Sequence, residues 1–115
     1  MSPVWRAFAG RGNIQDMDAE HIIAKLRAHE AELKSAGVQH LSLFGSYARG
    51  TAVESLSDVD VLADFDHSRR LTLFSLAGVR LRIVDILEMP VDLADRRTLK
   101  DHVKARAERE AVLVF

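Results

Sequence analysis

The stretch that most constrains this chain is Asp58-Val59-Asp60-Val61-Leu62-Ala63-Asp64-Phe65. It reads as a β-strand in which Val59, Val61, Ala63 and Phe65 share one face and Asp58, Asp60, Leu62 and Asp64 the other. Aspartate is disfavoured in strands, so two within three residues ask for a reason. A solvated strand face is one reason; metal binding is another. Alternate residues of a strand lie roughly 6.5–7 Å apart, and carboxylates at that spacing can converge on hard cations. In two-metal phosphoryl transfer the ions stand about 3.5–4 Å from each other. Leu62 on the acid face predicts that this side is also partly covered. Asp64 lies too far along to reach the same ions.

Upstream, Val38–Phe44 reads as another strand, and Gly45-Ser46 as the turn into a short helix spanning Tyr47–Ala52. Glycine at this turn lets backbone approach a triphosphate closely. Backbone N–H groups there, backed by a helix N-terminus, can hold phosphate oxygens. The Ser46 hydroxyl can serve a phosphate, cap the following helix, or do both. Arg49 is either a phosphate-facing cation or a salt-bridge partner of Glu54 or one of the motif aspartates. Val53–Ser57 is a connector.

The string GSYARGTAVESLSDVDVLADF, from Gly45 to Phe65, resembles the nucleotidyltransferase superfamily typified by DNA polymerase beta, and in particular its minimal nucleotidyltransferase branch. The resemblance extends over roughly residues 20–115, taking in Leu73-Phe74-Ser75-Leu76-Ala77-Gly78 and Pro90-Val91-Asp92-Leu93. It implies an α/β (α+β) fold, a small mixed sheet flanked by helices. It also implies ATP as substrate and two Mg²⁺ ions held by Asp58, Asp60 and Asp92, with Gly45, Ser46 and Arg49 at the nucleotide. In this superfamily the third carboxylate comes from a neighbouring strand and helps to activate the acceptor hydroxyl. That role falls to Asp92, which lies between apolar neighbours in a short strand Val91–Ala94. Asp95, on the other face, is a rival for that role or a cap for the segment after it. The chain departs here from a common V-D-L-V-T form, which leaves the strand end open. Many members of the branch are antitoxins encoded beside HEPN-domain toxins. The implied activity is therefore AMP transfer to a partner HEPN toxin, onto a tyrosine hydroxyl. The alternatives are an antitoxin that neutralises by binding alone, and transfer to a small molecule, although enzymes of that last kind normally carry an extra helical domain.

The remaining chain reads as scaffold. Asp16–Ala36 is expected to form one helix, capped by Asp16 or Asp18 and ended by Gly37, with Ile22, Ile23, Leu26 and Leu33 inward. Asp66–Arg70 is a polar loop. Leu71–Glu88 reads as a buried helix with Phe74, Ala77, Leu81 and Val84 along its inner stripe, widened by Leu73, Leu76, Ile83 and Leu87. Gly78 within it suggests close packing. Thr98–Glu110 reads as a final amphipathic helix with Leu99, Val103 and Ala107 inward and a basic outer face. Ala111–Phe115 is apolar, suited to an edge strand or a covered interface. Residues 1–15, with Trp5 and Phe8, read as a loosely ordered extension or as an aromatic arm for a partner, and residues 16–115 as the nucleotidyltransferase domain.

Bulk properties exclude several classes. The net charge of −1 gives no global field for nucleic acid or membrane. The chain has no cysteine, which rules out disulfide and thiol chemistry and fits the cytoplasm. No apolar run approaches the roughly 20 residues of a membrane span, and Met1–Phe8 lacks a signal-peptide core. A hetero-oligomer with the toxin or a homodimer is the expected assembly.

Overall fold

A computed structural model describes residues 18–52, 58–66, 68, 70 and 72–115. The expected extension 1–15, the connector 53–57 and the first helical residue expected at Leu71 lie outside the described residues.

Helix α1 (Ala19–Ala28) starts at Asp18, whose carboxylate accepts the His21 backbone N–H at 3.0 Å. The expected single helix is broken at His29, and α2 (Glu30–Ser35) follows as a separate piece. The cause is local. In a continuous helix the His29 N–H would bond the Lys25 carbonyl. Here the imidazole Nδ1 occupies that carbonyl at 2.9 Å, and the N–H turns to Leu26 instead, at 3.0 Å. Leu33 of α2 is still buried in the core alongside Ile22 and Leu26, as the sequence predicts. Gly37, at φ 109°, then turns the chain into the sheet, a conformation that favours glycine.

Among the described residues the sheet has four strands. β1 (Val38–Phe44) runs into a short helix, α3 (Gly45–Arg49), and pairs antiparallel with β2 (Val59–Phe65). β2 pairs parallel with β3 (Val91–Asp95). On the far side β1 pairs antiparallel with β4 (Val112–Leu113), giving the order β3-β2-β1-β4. A parallel pair needs a long crossover, and α4 (Leu73–Leu87) supplies it. After β3 a 3-10 turn (Arg96–Thr98) leads to α5 (Asp101–Glu110). This is the mixed α+β architecture that the sequence predicts.

Val59, Val61 and Ala63 of β2 are fully buried, with Leu41 and Leu43 opposite them and Ile22, Leu26, Leu33 and Ile83 packed above. Each such aliphatic side chain contributes about 1.5–3 kcal/mol relative to exposure. Leu62 is also fully buried although it shares the acid face, so that face is covered too, on the side of α5.

α4 corrects two expectations. Its buried stripe is Val79, Ile83 and Leu87, while Leu73, Phe74 and Leu81 are 83%, 89% and 57% exposed. Burial of Val79, Ile83 and Leu87 in the core sets this rotation, and two arginines bond in the same orientation. Arg80 donates from Nε to the Val91 carbonyl at 2.9 Å, and Arg82 reaches Glu32 of α2 at 2.8 Å. Gly78 is not a close-packing site: a Cβ there would meet nothing within 4 Å. The chain end does add an edge strand, and Val114 behind it is buried, its carbonyl accepting from Arg27 Nε at 2.9 Å. No helix among the described residues is long and apolar enough to cross a membrane.

Candidate active site

Strand pairing assembles the site. In the parallel ladder Asp60 of β2 stands opposite Asp92 of β3, with Val59 opposite Val91 and Val61 opposite Leu93. Directly opposite residues in a ladder present their side chains on the same face, so the two carboxylates share the face turned away from the main core. Asp58 stands two residues ahead of Asp60, exposed at the mouth of β2.

β1 brings the third component. Phe44, its last residue, pairs with Asp60, so the chain turns at Gly45 immediately beside that carboxylate. Gly45 is buried at φ 75° and begins helix α3, two residues earlier than expected. A Cβ on Gly45 would overlap Asp60 Oδ2. Glycine is thus required twice, by backbone conformation and by the room Asp60 occupies. Ser46 does not cap α3: Phe44 holds that position, without a side-chain bond. The Ser46 carbonyl instead accepts the Thr51 N–H at 2.9 Å as the chain leaves the helix through Gly50, at φ 76°.

A cleft of about 400 Å³ opens over these residues, and Gly45, Ser46, Arg49, Asp60 and Asp92 all line it. Its other wall is Leu99, just ahead of α5, and Val103, Arg106, Ala107 and Glu110 of that helix. Burial, then the carboxylates of Asp92 and Asp58, push the Asp60 carboxyl above its ordinary value, and the Arg49 guanidinium opposes them. Three acids close enough to feel one another form a site short of positive charge. Arg49 does not pair with a motif aspartate: its Nη1 donates to Glu110 Oε1 at 2.9 Å, tying α3 to α5, while Glu54 lies outside the described residues.

Asp58, Asp60 and Asp92 supply hard oxygen donors alone, and the missing Gly45 side chain keeps the space beside Asp60 Oδ2 open. Among the described residues no three acidic, histidine or cysteine side chains stand close enough to hold one metal ion by themselves, so substrate or water oxygens would have to complete any coordination. An open, oxygen-only set fits Mg²⁺, which keeps several waters and takes ligands from substrate phosphates. Asp95 is not part of this site. It caps the 3-10 turn, accepting the Arg97 N–H at 3.0 Å, and faces a separate cleft of about 430 Å³ at the start of α4. Asp64 is likewise occupied, receiving Arg96 Nε at 2.8 Å. Glu110 and Arg106 are the lining residues that sequence reading missed. The available signal was a charge three residues beyond Ala107 on the inward stripe of α5.

Residues 26–114 match the family model described as a nucleotidyltransferase domain. The chain belongs to this nucleotidyltransferase family. Protein adenylyltransferase MntA of Thermococcus cleftensis is 38% identical to it over 96 residues, covering 83% of this chain and 94% of the relative. A solved structure described as a minimal nucleotidyltransferase superposes with a TM-score of 0.71 at 33% identity, over 84% of this chain and 95% of that one. A chain from the complex of tri-AMPylated Shewanella oneidensis HEPN toxin with MNT antitoxin shares the fold, with a TM-score of 0.58 at 17% identity, over 81% of this chain and 71% of that one. The nucleotidyltransferase thus has in one cleft the glycine turn and the two ladder-paired aspartates.

Proposed function

We propose that this nucleotidyltransferase is an antitoxin that transfers AMP from Mg-ATP to a tyrosine hydroxyl of a HEPN-domain partner. The observation that carries the reading is the pairing of Asp60 with Asp92 beside the Gly45 turn. The relative named a protein adenylyltransferase supports the choice of a protein as acceptor and of AMP as the group moved.

In this mechanism Gly45 and Ser46 hold the β- and γ-phosphates. Asp58, Asp60 and Asp92 hold two Mg²⁺ ions, which supply charge neutralisation at the phosphates. Asp92 draws the proton from the incoming hydroxyl. The acceptor oxygen bonds to the α-phosphorus, the α–β phosphoanhydride bond breaks, and pyrophosphate leaves. The chain contributes position and electrostatics rather than covalent chemistry. A cysteine-free chain needs no oxidising compartment, and the reading places the reaction in the cytoplasm.

The test is intact-mass and peptide mass spectrometry of the HEPN partner produced with this chain. Wild type should add AMP to a tyrosine, and Asp60→Asn should not. An unmodified partner that is nevertheless neutralised and tightly bound would replace transfer by occlusion.

A further inference from the structure

Helix α5 carries a cation that the mechanism above does not use. Among the described residues, the cations lining the cleft are Arg49 and Arg106. Arg49 is engaged by Glu110 at 2.9 Å. Arg106 forms no ion pair among the described residues.

Helical neighbours lie three and four residues apart. For Arg106 these are His102, Val103, Arg109 and Glu110, so Glu110 is its one local carboxylate. Glu110 reaches across to α3 instead. A guanidinium is therefore left facing a cleft that Asp60 and Asp92 also line. Position along α5 narrows its role. The last turn of α5 is tied to α3 by the Arg49–Glu110 pair, and Arg106, one turn earlier on α5, lines the same cleft as Gly45 and Ser46 at the start of α3. Leu99 and Val103, earlier in the chain, precede it on the same wall.

We infer that Arg106 is a specificity-determining residue that binds the terminal phosphates of a nucleoside triphosphate. The inference rests on the reading of the cleft as a nucleotide site. A planar guanidinium presents a fork of donors that matches phosphate oxygens in pairs, which an ammonium does not. Arg106 so placed grips the pyrophosphate portion and distinguishes a triphosphate from a monophosphate.

The test measures binding of a non-hydrolysable ATP analogue and of AMP, each with Mg²⁺, to the full chain by calorimetry. Arg106→Ala should weaken the ATP analogue at least tenfold and leave AMP unchanged, Arg106→Lys should recover part of the loss, and Arg109→Ala, off the cleft, should match wild type. Wild-type affinity for the analogue with no effect of Arg106→Ala would overturn the role of Arg106 alone. An equal loss for ATP analogue and AMP would overturn the assignment to terminal phosphates. A wild-type chain that binds neither nucleotide would overturn the nucleotide reading itself, and this inference with it.

Discussion

Gly45 leaves open the space that Asp60 fills: a Cβ at position 45 would overlap Asp60 Oδ2 and lie 3.0 Å from its Cγ. The neighbour that would have to move is the carboxylate at the centre of the site. Gly45→Ala is therefore expected to cut AMP transfer at least tenfold. It should also lower stability by about 1–2 kcal/mol from the left-handed backbone alone, and by more from the overlap. Label-transfer rates and a thermal melt of the same preparation check both.

Asp60 is a stability cost that the site retains. Its folded-state carboxyl titrates above the ordinary value of 3.8, burial being the largest cause. Between the unfolded and folded values the native state holds more protons than the unfolded chain, so stability falls as pH rises through that window. Asp60→Asn removes the charge. In metal-free buffer the variant should melt higher than wild type at pH 7, and the gap should close as pH drops below the ordinary carboxylate value. Transfer should be lost throughout.

The two faces of α4 should respond oppositely to substitution. Ile83 is fully buried, and Ile83→Ala should cost about 2–5 kcal/mol. Phe74 is 89% exposed, and Phe74→Ser should leave the isolated chain within about 0.5 kcal/mol of wild type. Denaturant unfolding of both variants reads the difference.

At the start of α1, Asp18 accepts the His21 N–H, and that bond holds its carboxyl below the usual range. Asp18→Ala should cost about 1 kcal/mol without changing transfer. Because the carboxyl is depressed in the folded state, its contribution is present above its unfolded value and disappears on acidification through the folded one. Melts at neutral pH and near pH 2 test the difference.

Local pattern made β2 legible. A strict period of two placed Val59, Val61, Ala63 and Phe65 inside, and all four are buried. The same period put Asp60 on the other face, and parallel register placed Asp92 beside it. What failed depended on contacts distant in sequence or on side-chain competition. α4 carries apolar residues on nearly every side, so periodicity could not choose its inner stripe. Packing against the core residues of other elements chooses it, and Arg80 and Arg82 add bonds to partners 11 and 50 residues away. The break at His29 arises from an imidazole taking a backbone carbonyl, which no helix propensity encodes. The second wall of the cleft was readable only as an inward stripe, because the Arg49–Glu110 pair that orients it spans 61 residues.

The most direct test of the account is the fate of the α-phosphate. Purified chain, HEPN partner and Mg²⁺ are incubated with ATP labelled at either the α- or the γ-phosphorus. The account predicts that α-label moves onto a partner tyrosine, that γ-label leaves in pyrophosphate, and that Asp60→Asn transfers neither. A wild-type chain that binds the partner and ATP yet moves no α-label, or that moves the γ-label, would contradict it.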